Sequence, residues 1–210
     1  MDKAQQEVVE WAVASRAAAG ESSIGDMCLV EPFPGGILLG AVDGLGHGKH
    51  AASVAKRAVV SLRQSSGRSL DYLINECHRR IAGTRGVVLS LASINAVAGE
   101  MTWAGVGNVE VRLFHFDREK GLNREALMVK PGVVGYRISS VRTSVHPVSP
   151  GDILIFASDG ISGGFDQELD IGSPVQAVAD YILEQKGKKN DDALVLVVRY
   201  LGLTSEPRQK

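Results

Sequence analysis

The sequence predicts an α+β fold of two packed sheets covered by helices. Two observations carry this reading. The candidate elements run strand pair, helix pair, several strands, one helix and a closing strand, where regular βαβ units would alternate more evenly. The strand candidates are also long and apolar, and they stand beside amphipathic helical segments. Periodicity alone does not fix how such elements connect in space.

The elements follow in order. Met27 to Val30 is short and apolar after Gly25-Asp26, and a turn through Pro32, Pro34, Gly35 and Gly36 separates it from the strand candidate Ile37 to Val42. Asp43-Gly44-Leu45-Gly46-His47-Gly48 comes next. Lys49 to Arg63 repeats apolar residues at helical spacing through Ala52, Ala55, Val59 and Leu62, and Ser65-Ser66-Gly67 breaks it. Ser69 to Arg80 predicts a second helix, packed through Leu70, Leu73, Ile74 and Cys77. The period then changes to strand for Val87 to Val97, Met101 to Val106 and Val109 to Phe116, with turns at Gly99 and Gly107-Asn108. Asp117 to Gly135 reads as an ordinary loop, and Val133 to Val148 as further strand or sheet edge. Asp152 to Ser158 is a nearly continuous apolar strand. Pro174 to Gln185 fits a helix with proline in its first turn, and Ala193 to Tyr200 is the closing strand.

With 210 residues, 44% hydrophobic and 22% charged, the chain can build one domain with a substantial core but not two full catalytic domains. Residues 1–202 read as that domain and 203–210 as a polar tail that frays. A formal net charge of -1 predicts neither nucleic-acid nor membrane-surface binding, although it leaves room for a local patch. Cys28 and Cys77 have neither metal-ligand spacing nor a disulfide framework, so they read as reduced thiols that fill space. The opening MDKAQQEVVEW lacks the basic region and apolar run of a signal peptide, and no later run is long enough to span a bilayer. A cytoplasmic location is expected.

The acids stand where strands begin or end. Asp26 precedes one, Asp43 follows one, Asp159 follows Ile153 to Ser158, and Asp191 precedes the last. Singly, an Asp beside Gly is more often a turn residue or helix cap. If the four ends converge, their carboxylates repel too strongly to stay charged without cations. Hard oxygen ligands suit Mg2+ or Mn2+, and two such ions can activate water and hold phosphate oxygens for in-line displacement. Gly44, Gly46 and Gly48 let the backbone pass close to a ligand, yet the segment is neither a P-loop nor a dinucleotide fingerprint. His47 has two readings: a contact to phosphate or a proton donor to a leaving group, or a structural hydrogen bond that holds the loop or caps a helix.

Asp43-Gly44-Leu45-Gly46-His47-Gly48, Gly151-Asp152 with Ser158-Asp159-Gly160, and Asp191-Asp192-Ala193 resemble, in that order, the motifs of the manganese/magnesium-dependent protein phosphatases. The style is that of the bacterial SpoIIE/RsbU-like branch, and the motifs run from about Gly25 to Tyr200. The resemblance implies a four-layer αββα sandwich of two mainly antiparallel sheets flanked by helices, with a centre for two ions, Mn2+ or Mg2+, at one end. It implies that Asp43 bridges the ions and that the Gly44 carbonyl ligates one of them. Asp159 and Asp191 would serve the other, and Asp26 would act directly or through water. Asp192 is placed behind the ligands rather than among them.

Some relatives carry an arginine just before the first acidic motif to hold substrate phosphate, whereas Gly20 to Asp26 has no basic residue. Phosphate is then left to metals, backbone amides and the substrate protein, and Arg16 reads as a solvated surface charge. The chain length is similar to that of RsbX-type stressosome feedback phosphatases. The resemblance thus implies a serine/threonine protein phosphatase that acts on phosphorylated STAS-domain proteins of a bacterial stressosome by metal-activated water attack. No phospho-enzyme, nucleic acid or membrane partner is expected. Two other readings stay open: a noncatalytic phosphoprotein-binding or scaffold protein that keeps the fold, and a small-molecule phosphohydrolase.

Overall fold

The structure is a computed structural model that describes residues 8–117 and 121–203. Strands β1 (Val9–Arg16), β2 (Asp26–Phe33) and β3 (Gly36–Gly44) lead into helices α1 (Gly48–Arg63) and α2 (Leu70–Arg80). Then come β4 (Val87–Asn95), β5 (Glu100–Val106), β6 (Glu110–Asp117) and β7 (Gly121–Leu127). The short β8 (Gly132–Val133) and β9 (Arg137–Ile138), β10 (Ser144–Pro147) and β11 (Ile153–Ala157) follow, and α3 (Val175–Lys186) and β12 (Ala193–Tyr200) close the order.

One sheet is ordered β1-β12-β11-β6-β7 and the other β10-β5-β4-β3-β2, with β8 and β9 as a separate pair. Every pairing between these strands is antiparallel. The central strands β3, β4, β11 and β12 are apolar on both faces because both faces are covered. In β3, Leu39 and Ala41 face the space between the sheets, while Leu38 and Val42 face α1 and α2. In β12, Leu194, Leu196 and Val198 face inward, and Val195 and Val197 pack under α3 with Val178, Ala179 and Ile182. This period of two fixes four layers: α3, the β12 sheet, the β3 sheet, and α1 with α2. Phe156 is fully buried between the sheets, and its truncation to alanine would cost about 3–5 kcal/mol. The αββα expectation is therefore met.

The β2–β3 hairpin turns on Pro34-Gly35, with Phe33 opposite Gly36 and Gly35 at φ +83. Proline first and a positive-φ glycine second is the requirement of a type II turn. Pro32 is tolerated inside β2 because that strand is a sheet edge.

Three segments differ from the sequence reading. Val9–Arg16, given no element, is an edge strand paired along its whole length with β12; its alanines carry no strand propensity of their own. Gly121–Leu127 lies inside the expected loop of Asp117 to Gly135 and instead forms β7, registered against β6 from Val111 to Asp117. As an edge strand with mostly exposed polar residues it lacks the apolar alternation that would reveal it. Arg16 is not a solvated charge: it is half-buried, and its Nη2 donates to the carbonyls of Gly187 at 2.8 Å and Lys188 at 3.1 Å. The opening heptapeptide of the signal-peptide reading and the polar tail from Thr204 lie outside the described residues. No helix among the described residues is long and apolar enough to cross a membrane.

Candidate functional site

Antiparallel registry decides where the acids go. Asp26 opens β2 and Asp43 stands at the end of β3, and the two are direct cross-strand partners. Ala157 pairs with Val195 at the end of the β11–β12 ladder, and the Ser158 amide still donates to the Leu194 carbonyl at 3.0 Å. Asp159 and Asp191 flank that same ladder end. Asp26 and Asp43 are 4% and 9% exposed, whereas Asp159 and Asp191 are half-buried. Like charges directly opposite across a ladder destabilise it, so this pair is an unfavourable choice for the fold alone.

The two ladder ends meet because the backbone between them carries no side chains. A Cβ on Gly25 would lie 2.8 Å from Ala51 Cβ and 3.0 Å from Asp192 Oδ2. One on Gly160 would lie 1.9 Å from the Asp192 carbonyl oxygen. The Gly44 amide donates to the Gly25 carbonyl at 3.2 Å, which ties the start of β2 to the end of β3. Asp192 supplies the remaining link. It is 3% exposed, and its carboxylate accepts the amides of Ala18 at 2.8 Å and Gly25 at 2.7 Å. Both its oxygens thus accept backbone amides.

Burial is the main cause that pushes the Asp26 carboxyl up to about 7. A hydrogen bond from Ser158 opposes it, and the charges of Asp192, Asp159 and Asp191 add to it. Burial likewise pushes Asp43 up to about 8, reinforced by the charges of Asp26, Asp159 and Asp191. The four expected acids, drawn from both sheets, therefore share one electrostatic field at one end of the sandwich. Among the described residues, no three His, Cys, Asp or Glu side chains are closed into a metal cage; the convergence is one of charge rather than of a finished coordination shell.

The donor set fits divalent cations on the chain's own chemistry. Asp26 Oδ2 is buried and has no hydrogen-bond partner, and a buried carboxylate oxygen without a partner is costly unless a proton or a cation meets it. Carboxylates and a backbone carbonyl are hard oxygen donors of the kind Mg2+ and Mn2+ take. The thiols do not compete for a nucleophile's role. Burial pushes Cys77 up to about 12 and raises Cys28 as well, so neither supplies thiolate near neutrality.

Residues 34–201 match the family model of Stage II sporulation protein E (SpoIIE). The chain belongs to the SpoIIE family. A solved structure described with the bacterial stressosome, as a modular system adapted to control secondary messenger signaling, is 31% identical. It superposes with a TM-score of 0.80 over 91% of this chain and 99% of its own. RsbX in complex with magnesium is 19% identical at a TM-score of 0.81, over 93% of this chain and 97% of its own. The PP2C phosphatase domain of SpoIIE from Bacillus subtilis, with a fragment of its regulatory domain, is 19% identical at a TM-score of 0.75. That match covers 94% of this chain and 63% of the other. These likenesses give this SpoIIE-family chain the PP2C phosphatase fold. A comparison with curated proteins finds no match.

Beside the acids of this SpoIIE-family site stand Ser158, Asn108 and Lys188, to which sequence reasoning gave no role, whereas His47, which it singled out, contacts Glu21 and none of the four aspartates. Ser158 accepts the Leu194 amide at 2.9 Å through its Oγ, which leaves its hydroxyl proton for Asp26. Asn108 Nδ2 donates to Asp159 Oδ2 at 2.9 Å, and Lys188 Nζ donates to the Asp159 carbonyl at 2.6 Å. His47, largely exposed, meets Glu21 Oε1 through Nδ1 at 2.6 Å and makes no side-chain cap to α1. Of these, Ser158 was within reach of the sequence, since it directly precedes Asp159; Asn108 and Glu21 are brought in from distant turns with no local signal.

Proposed function

We propose that this protein is a metal-dependent serine/threonine phosphatase that acts on phosphorylated STAS-domain proteins of a bacterial stressosome. The observation that carries the proposal is the buried, mutually repelling pair Asp26 and Asp43, set in the field of Asp159 and Asp191. Membership of the SpoIIE family and the likeness to RsbX and to a stressosome-associated structure support this reading of reaction and partner.

Asp43, Asp159, Asp191 and the Gly44 carbonyl would hold two ions, Mg2+ or Mn2+, with Asp26 acting directly or through water. When bound, the ions supply positive charge to the phosphate oxygens and acidify water for in-line attack on phosphorus. The protein's own groups do the positioning. Ser158 orients Asp26, Asn108 fixes the rotamer of Asp159, and Asp192 holds the backbone of Gly25 against the start of β2. The Glu21 contact at His47 Nδ1 leaves Nε2 free to pass a proton to the departing serine or threonine oxygen.

The test is phosphate release from a purified phosphorylated STAS-domain protein with Mn2+ or Mg2+. Chelation should stop release, and Asp43→Asn should lower it at least a hundredfold while the variant stays folded. Full activity in folded Asp43→Asn would sink the bridging role. Release from small esters alone would reject the protein substrate and keep the metal site. Tight binding of the phosphoprotein without turnover would favour a noncatalytic role.

A further inference from the structure

Between Gly48 and Gly86 the chain holds eight Lys and Arg residues against two acids, in a chain whose formal net charge is -1. All eight cations are exposed. They sit on the helical layer that covers the β3 sheet, so one face of the molecule carries a local excess of six positive charges while the rest is acidic. One of the two acids is already neutralised, because Glu76 pairs with both Arg79 and Arg80. Lys49, Lys56 and Arg85 form no ion pair among the described residues.

Where α1 meets the end of α2, a groove of about 380 Å³ is lined by Ser53, Lys56, Arg57, Val60, Arg80 and Ile81, among others. Its cations are partly fixed in place. Arg80 donates to Glu76 and to Gln64, and Arg57 Nη2 donates to the Arg80 carbonyl at 3.1 Å. Val60, 46% exposed, places an apolar surface among them. Preset cations around a small apolar centre suit a protein partner with carboxylates at its rim. A single-stranded nucleic acid would call for aromatic side chains among the cations, and a membrane surface for a broad apolar helix face; among the described residues neither lines this groove, and the exposed Tyr72 of α2 stands outside it under Arg68.

We propose that this α1–α2 face docks an acidic segment of the phosphoprotein substrate. The inference rests on the phosphatase reading above and adds a recognition surface to it. Helix α1 starts just past Gly44, and Val60 lies twelve residues into it, roughly 18 Å along the axis. An extended peptide covers that distance in about five or six residues. The acidic block should therefore lie about that far from the phosphoserine. Attraction at the groove draws in a ligand whose phosphate the carboxylate end would otherwise repel.

The experiment compares two synthetic phosphoserine peptides, one with an Asp/Glu block six residues from the phosphate and one with Ser/Gly in its place. p-Nitrophenyl phosphate serves as the small-ester control. The protein should favour the acidic peptide by about tenfold in kcat/KM at low salt, through KM, and lose the preference at high salt. The double variant K56E/R57E should abolish the preference with p-nitrophenyl phosphate turnover unchanged, and K56S/R57S should weaken it in the same direction. Equal KM for the two peptides in the parent protein, or a preference that survives charge reversal, would overturn docking at this face. So would tighter binding of a single-stranded oligonucleotide or of anionic vesicles than of the acidic peptide at the same salt. Failure of the parent protein to hydrolyse any of the esters would instead strike at the phosphatase reading.

Discussion

Asp43→Asn offers a test of the carboxylate centre that does not depend on turnover. In metal-free protein, Asp26 and Asp43 titrate at about 7 and about 8 instead of at 3.8. Because each folded-state value is raised, the stability these groups contribute is fully present below pH 3.8 and is lost as pH rises through about 7 to 8. Raising one carboxyl from 3.8 to about 7 corresponds to roughly 4 kcal/mol. One proton relieves both members of a repelling pair, so the single-carboxyl figure is the relevant scale. In a chain of this size, roughly 4 kcal/mol is about 8–16 °C in melting temperature.

The assay is thermal unfolding in chelator at pH 5.5 and pH 8, followed by circular dichroism. The parent protein should be less stable at pH 8, and added Mg2+ should restore it. Asp43→Asn removes one charge and can donate its amide to Asp26, so its stability relative to the metal-free parent should grow by about 2–4 kcal/mol between pH 5.5 and pH 8. Mg2+ should stabilise the variant far less. A parent protein equally stable at both pH values, with Asp43→Asn gaining nothing on it between them, would refute the claim that the site stores repulsion.

Two further changes address the site's supports. Ser158→Ala removes the hydroxyl that favours the charged form of Asp26, and Mg2+ affinity measured by calorimetric titration should fall about tenfold to a hundredfold. Gly160→Ala would put a Cβ 1.9 Å from the Asp192 carbonyl, so its urea midpoint should drop by the equivalent of more than about 3 kcal/mol, or the chain should fail to fold.

The layers were legible in the sequence because their strands are apolar on both faces and their helices on one. Leu38 and Leu39 are adjacent in β3 yet serve different cores, and a continuous apolar run is the trace that two covered faces leave. The edges were not legible for the same reason. β7 is mostly exposed and polar, so pairing with β6 decides its state rather than any local pattern; in β1 only Val9, Trp11 and Val13 give a short alternating signal, which pairing with β12 completes. At the site, the acids themselves could be read from their positions at strand ends. What binds them together could not, since the contacts of Asn108 with Asp159 and of Asp192 with Ala18 join residues far apart in the chain.

The doublet Asp191-Asp192 permits a separation of function from stability. Both carboxylates bear on Asp26 through their charge, but only that of Asp192 also turns back to brace the backbone of Ala18 and Gly25. Asp191 is half-buried, adds its charge to Asp26 and Asp43, and accepts the Asp192 amide at 3.0 Å. Asp192 is buried, with both oxygens committed to the amides of Ala18 and Gly25. Asp191→Asn keeps an oxygen for the Asp192 amide and removes a repelling charge. It should hold or gain stability in chelator while it loses Mg2+ affinity. Asp192→Asn turns an amide NH2 towards a backbone N–H and should lose about 1–3 kcal/mol in urea unfolding. If the two variants lose stability equally, Asp192 is not the brace of this site; if they lose metal affinity equally with stability unchanged, Asp192 belongs among the ligands.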